Sequence, residues 1–222
     1  NFMNYADFGL GTWHPKGGMI QIVSAMVSLA KELGVRFHTD APVNEIITNN
    51  KKATGIRVGG TIHEADIIIS GADYHHSESL LHASLRGYSE SYWKKKVFAP
   101  SSLLFYMGID KKLNNLTHHN LFFDVDFDRH ASSIYDTSEW PKEPLFYVNL
   151  PSITDKTMAP EGKDACFILI PIAPGLEDTQ ELRDKYYNIV LTRMEELTNQ
   201  SIREHVLFNK SFCVLDFVND YN

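Results

Sequence analysis

The chain is 222 residues long, 43% hydrophobic and 22% charged, a composition that excludes disorder and supplies enough material for one large core or two small ones. A formal charge of −7 and a pI near 5.8 exclude an electrostatic nucleic-acid binder, since Lys94, Lys95 and Lys96 form the only basic run. Cys166 and Cys213 stand far apart without CxxC partners, and no stretch approaches the ~18–20 apolar residues of a membrane span, so the reading is a cytosolic protein with two reduced thiols.

Residues 1–11 show no helix cap, strand alternation or targeting composition, which implies a chain cut from a longer one. In TWHPKGGM, Pro15 stops a helix from arriving, and Gly17 and Gly18 permit a tight turn. From Met19 the apolar positions Ile22, Val23, Met26, Ala30 and Leu33 recur at helical spacing, with Gln21, Ser24, Ser28 and Lys31 opposite. The pattern predicts a half-buried helix, with Gly34 placed for a left-handed cap and VRFHT following as a short strand.

PVNEIIT alternates as a strand does, Asn49 to Lys52 make a polar turn, ATGIRV is a second strand, and Gly59-Gly60 is a two-residue hairpin signal before TIHEA. These segments predict an antiparallel ribbon. In EADIIISGAD, Ile67, Ile68 and Ile69 run without alternation, the pattern of a strand buried on both faces inside a parallel sheet. Ser70, Gly71 and Ala72 then leave space for a ligand or another backbone to approach.

Character changes near residue 75. Short helices are expected at 77–81 and 90–97, strands at 101–109 and 120–125, a helix at 128–136, and strands at 145–150 and 165–172. This order predicts a sheet with helices on one side. A long helix follows, with Asp178 and Glu181 read as a capping box and Leu182, Tyr186, Ile189, Val190, Met194 and Leu197 as its buried stripe. SIREHVLF is one more strand, and VNDYN closes the chain without an element of its own.

Several chemistries fail on spacing. The nucleophile pattern GxSxG and the metal pattern HExxH are absent, and His75-His76 and His118-His119 are adjacent pairs that a strand would turn to opposite faces. Asp124, Asp126 and Asp128 begin like a calcium loop, but Arg129 and Tyr135 stand where Gly and Glu are required. No phosphate-binding GxGxxG or GxxxxGK[ST] occurs, His14 taking the place of the last glycine in GLGTWH. Phe105, Tyr106, Phe122, Phe123, Phe146, Tyr147 and Phe167 all fall on predicted strands, more aromatic surface than a core alone needs.

TWHPKGGM with LAKELGV, PVNEI, ADIIISGAD, SSLLFYMGID, THHNLFF and LFYVNLPSITDKTMAPEGKD resembles the middle of the flavin-dependent phytoene desaturases, carotenoid-pathway members of the amine-oxidase-like flavoproteins. The likeness covers nearly the whole chain, and FYVNLPSITDKTMAPEG is its most specific run. It implies an α+β fold of α/β type: a substrate domain with a mixed β-sheet and flanking helices, plus a partial FAD-binding domain with a β-ribbon. The implied boundaries are 1–16 and 75–222 for the substrate domain and 17–74 for the FAD domain.

By the same resemblance, Val43 matches the position whose backbone meets the adenine of FAD, flanked by Pro42 and Asn44. Ser70, Gly71, Ala72 and Asp73 match the segment that returns beneath the flavin. The dinucleotide fingerprint and a C-terminal flavin segment lie outside this sequence, so the chain by itself is expected neither to retain FAD nor to turn over substrate. The implied substrate is an apolar polyene held in a tunnel built by residues 101–172. Hydride removal falls to the flavin, and no acid or base is singled out. A long hydrocarbon without a polar handle implies delivery from a bilayer and a peripheral membrane contact. Alternatives on the same scaffold are a carotenoid isomerase, a retinol saturase-like enzyme, or a non-catalytic prenyl-lipid-binding relative.

Overall fold

The computed structural model describes residues 5–96, 98 and 100–221. Two compact units emerge, one formed by 31–97 and the other by residues up to 30 together with 98–221.

Helix α1 (Ile20–Glu32) starts after the expected turn, in which Gly17 and Gly18 have φ of 88° and 87° and the Gly18 N–H donates to Pro15 O at 2.9 Å. It ends at Gly34, whose φ of 84° supplies the left-handed cap. The half-burial expected of it is not found: no residue of α1 is buried, and Ile20, Met26 and Leu29 are 61%, 67% and 58% exposed. A helix satisfies its own backbone hydrogen bonds, so it forms here although no partner among the described residues buries its apolar stripe.

Unit 31–97 is built on an antiparallel ribbon of β1 (Val43–Asn49), β2 (Lys52–Val58) and β3 (Thr61–Glu64), as the alternation predicts. Asn50 and Lys51, both at positive φ, make the first turn, and Gly59-Gly60 makes the second. Gly55 lets the strands close up, since a Cβ there would lie 2.6 Å from His63 O. Two short helices follow, α2 (Tyr74–Ser79) and α3 (Glu90–Trp93). Two expected strands are absent. Residues 35–39 and 66–73 are irregular, and Ile67 and Ile69 are 79% and 89% exposed. Unlike a helix, a strand borrows its hydrogen bonds from a neighbour, and no ladder reaches these segments among the described residues.

The other unit centres on five strands in the order β5-β6-β7-β4-β8: β4 (Ser101–Ile109), β5 (His119–Phe122), β6 (Phe146–Asn149), β7 (Asp164–Ile172) and β8 (Val206–Phe212). Every pairing is antiparallel, which corrects the expected mixed sheet while the α+β class stands. One face is the core. Leu103, Phe105, Met107 and Ile109 of β4, Phe146 and Val148 of β6, and Cys166, Ile168, Ile170 and Ile172 of β7 are all buried there. Each large apolar side chain so buried contributes about 1.5–3 kcal/mol.

Helix α4 (Phe127–Tyr135) is capped by Asp126, which accepts from the Asp128 and Arg129 N–H groups, so the acidic run is a helix start. Helix α5 (Gln180–Thr198) contributes Tyr186, Val190, Leu191 and Met194 to the core. Its cap is Thr179, whose Oγ1 accepts the Leu182 N–H at 3.2 Å, and not the Asp178–Glu181 box. Asp178 is occupied elsewhere: it accepts from Arg183 at 2.6 and 2.7 Å and from the Leu215 N–H at 2.9 Å. That last bond helps hold helix α6 (Val214–Tyr221), an element the sequence reading did not expect. Cys166 and Cys213 are buried free thiols, pushed up to about 12 and about 11, chiefly by burial.

Candidate functional site

Opposite the core, the five-stranded sheet carries a second face that nothing among the described residues fully covers. Along β7 the residues alternate strictly, Cys166, Ile168 and Ile170 inward and Phe167 and Leu169 outward and only half-buried. The register sets Tyr106 opposite Phe167, Leu104 opposite Leu169, Tyr147 opposite Leu169, Leu121 opposite Tyr147, and Phe208 opposite Gly108. Ring centroids lie 5.0 Å apart for Tyr106–Phe167 and 6.4 Å for Tyr147–Phe167. Tyr106, Leu121 and Phe208 remain 44%, 65% and 60% exposed. The result is an aromatic and aliphatic floor, with Lys210 across from Tyr106 at the β8 margin.

Of the aromatic residues noted in the sequence, Phe105, Phe122 and Phe146 belong to the core, Tyr106, Tyr147 and Phe167 to the open floor, and Phe123 lies exposed beyond β5. Burial raises the Tyr106 phenol above its ordinary value, and the neighbouring Tyr221 adds to the effect. Burial also raises Tyr147, against the hydrogen bond from Asn149. Both phenols are therefore neutral at physiological pH, which suits an uncharged ligand.

One end of the floor is polar. His119 Nδ1 and Tyr147 OH are 2.5 Å apart, and Asn149 Nδ2 donates to the same phenol oxygen at 3.0 Å. His118 precedes β5, so its ring lies beside that of His119, with centroids 4.3 Å apart, and the expected opposite-face arrangement does not hold. Burial, then the like charges of His119 and His14, lowers the His118 pKa. No group of three or more His, Cys, Asp or Glu is arranged to hold a metal among the described residues.

Next to these histidines lies a cleft of about 640 Å³, lined by Trp13, His14, Lys16, His118 and residues 154–157 among others. Its anchor is Asp155, which accepts the Gly17 N–H, the Thr157 N–H and the Thr157 hydroxyl at 2.5, 3.0 and 2.7 Å. The hydrogen bonds from Thr157 and then Gly17 hold this carboxyl down to about 2. His14 Nε2 is buried 3.7 Å from Asp155 Oδ2 without a hydrogen-bond partner. The sequence reading missed His14, His119, Asn149 and Asp155; all lie in the runs that carry the family likeness, which was their one available signal.

The residues picked for the cofactor fall in unit 31–97. Val43 opens β1, an edge strand of the ribbon, and is half-buried. A bulge between Val43 and Glu45 leaves Asn44 outside the register, and Asn44 Oδ1 accepts the Gly59 N–H at 2.8 Å. Pro42 is exposed beside them. Ser70, Gly71, Ala72 and Asp73 form an exposed loop in which Ser70 Oγ meets Ser77 Oγ at 2.6 Å and Asp73 caps α2 through the His75 and His76 N–H groups. A Cβ built on Gly71 would have nothing within 4 Å, so the loop is open at that point.

The sequence pattern described as flavin containing amine oxidoreductase matches residues 1–206. A carotenoid 3,4-desaturase of Haloarcula japonica is 39% identical over this whole chain, and a zeta-carotene-forming phytoene desaturase of Myxococcus xanthus is 34% identical over 91% of it. The chain spans 45% and 39% of their lengths. An oxidoreductase of Methanosarcina mazei superposes with a TM-score of 0.68 over 96% of this chain and 46% of its own, at 22% identity, which shows a shared fold. With the family pattern running through both compact units, the chain belongs to the flavin containing amine oxidoreductase family.

Proposed function

We propose that this chain is the polyene-binding half of an FAD-dependent carotenoid desaturase. The observation that supports it most directly is the open face of the sheet, where Tyr106, Tyr147, Phe167 and Leu169 form a floor of neutral rings and aliphatic chains rather than a polar pocket. Conjugated hydrocarbons pack on such surfaces by dispersion and ring contact, with no hydrogen bond required. The carotenoid and phytoene desaturases named above are 39% and 34% identical to this chain over 100% and 91% of it.

In this reading the floor fixes the polyene and keeps water from the reacting carbon. A bound flavin would supply the hydride acceptor. Pro42, Val43 and Asn44 would meet the adenine at the ribbon edge, and Ser70, Gly71, Ala72 and Asp73 would pass beneath the isoalloxazine. The edge strand, the bulge at Asn44 and the open space at Gly71 fit those roles. The remaining FAD contacts belong to the longer polypeptide, and this chain alone is proposed not to retain the cofactor.

No helix among the described residues is long and apolar enough to cross a membrane. Uptake of the substrate is assigned instead to peripheral contact with a lipid surface. Tyr88 and Tyr92 stack at 4.2 Å, Trp93 adjoins both, and Lys96 Nζ lies 4.4 Å from the Tyr92 ring, next to Lys94 and Lys95. Aromatic and lysine side chains of this kind settle at the headgroup level.

The test is anaerobic mixing of the flavin-loaded full-length polypeptide with phytoene. Bleaching of the flavin with a product carrying at least one additional double bond is expected. Unchanged phytoene, with isomerised poly-cis lycopene or saturated retinol in parallel assays, would overturn the desaturase reading.

A further inference from the structure

Gly108 sits in the middle of the sheet, on β4, with Ala165 of β7 on one side and Phe208 of β8 on the other. Its φ lies outside the left-handed region, so the backbone there does not require glycine. The neighbouring side chain does. A Cβ at 108 would stand 2.4 Å from Phe208 Cε1, 2.9 Å from Cδ1 and 3.1 Å from Cζ, so the Phe208 ring lies across the position that any other residue would fill.

The β8 strand is shaped to hold the ring there. Gly108 pairs with Phe208 but Ile109 pairs with Val206, a bulge that leaves Leu207 unpaired and bends the edge strand at this point. Phe208 is nevertheless 60% exposed, so it is not a core residue displaced to the surface. An exposed aromatic residue on an edge strand invites aggregation unless something covers it. On the same face, two residues along β4, Tyr106 continues the floor toward Phe167.

We propose that Phe208, seated on Gly108, is a specificity-determining residue that closes the β8 margin of the floor and sets how much of a polyene the face accepts. This rests on the carotenoid reading above and adds to it the residue pair that limits chain reach. Removing the ring extends the floor toward β8 and favours the longer substrate. Adding a methyl at 108 lifts the ring and acts through it.

The test uses the flavin-loaded full-length polypeptide with two probes, phytoene and the shorter diapophytoene. Phe208→Ala is expected to shift the ratio of their kcat/KM values toward phytoene by roughly tenfold or more, the scale on which apolar pockets discriminate chain length. Thermal unfolding should be unchanged. Gly108→Ala, which pushes the ring out from the sheet, is expected to shift the ratio the other way, toward diapophytoene, and Gly108→Ala/Phe208→Ala to match Phe208→Ala alone, because both act on one ring. A ratio that stays within about twofold in Phe208→Ala, with flavin content and unfolding temperature intact, overturns the proposal. If the unmodified enzyme converts neither polyene, the desaturase reading fails first and the proposal falls with it.

Discussion

Asp155 accepts the Gly17 N–H at 2.5 Å across 138 residues of sequence, and so fastens the Gly-Gly turn before α1 to the loop that follows β6. Its carboxyl is held down to about 2, first by Thr157 and then by Gly17. A carboxylate depressed in the folded state contributes stability that is fully present above its ordinary pKa of ~4 and is lost as pH falls through the folded value. Hydrogen exchange should therefore show the Gly17 amide protected from neutral pH down to about 4 and released toward about 2. In Asp155→Ala the protection should be missing throughout.

Arg183 pairs with both Asp178 and Asp216, and the Asp178 side chain is only 1% exposed. Burial alone would raise the Asp178 carboxyl, but hydrogen bonds from Arg183 and the Leu215 N–H outweigh it and lower the pKa. Asp178→Ala leaves the largely buried guanidinium with Asp216 as its remaining ion-pair partner. A loss of about 3 kcal/mol in denaturant unfolding is expected, the low end for a broken buried pair. Loss of α6 should accompany it, visible as faster proteolysis near the C-terminus.

Neighbouring positions on β7 should respond in opposite ways. Ile168 is fully buried, so Ile168→Ala should cost about 2–5 kcal/mol of stability. Phe167 lies on the open floor, so Phe167→Ala should cost far less stability while raising the KM for phytoene in the full-length enzyme. Chemical denaturation and steady-state kinetics on the two variants separate the roles. Equal stability losses would remove the basis for calling that face a binding surface.

Asp73 caps α2 through two backbone N–H groups, and the loop it ends is the one assigned to the flavin. Asp73→Ala should destabilise the unit by about 1 kcal/mol and weaken FAD retention in the full-length protein. Flavin content after gel filtration measures the second effect. Full retention at limiting FAD would separate this loop from the cofactor.

Sedimentation with phosphatidylglycerol vesicles should pull down the full-length protein. Replacing Lys94, Lys95 and Lys96 together by Ala should weaken that binding by roughly 100-fold, given about 1 kcal/mol per basic residue at an anionic surface. No change would place the lipid contact elsewhere on the molecule.

How much of this could be read from the sequence depended on where each element finds its hydrogen bonds. α1, α5 and the β1–β3 ribbon are local: spacing, glycine caps and two-residue turns specify them, and they form as expected. Residues 66–73 read equally well as a buried strand, but a strand depends on a neighbour, and Ile67 and Ile69 stand in the open. The aromatic excess was visible, yet its division between core and floor was not. That division depends on register: Phe105 and Tyr106 are adjacent in sequence, and pairing with β7 sends one inward and the other outward. The Asp178–Glu181 box misled because the same letters serve an ion pair, while Thr179, one residue on, makes the cap. His14 and Asp155 lie too far apart along the chain for any local pattern to join them.

The two-residue period of β4 and β7 also separates two kinds of inheritance. Substitutions at 103, 105, 107, 166, 168 and 170 bear on whether the chain folds, while those at 106, 167 and 169 fall on the open face and leave that packing intact. Change can thus accumulate at every other codon of these strands while the hidden half of the sheet stays unchanged.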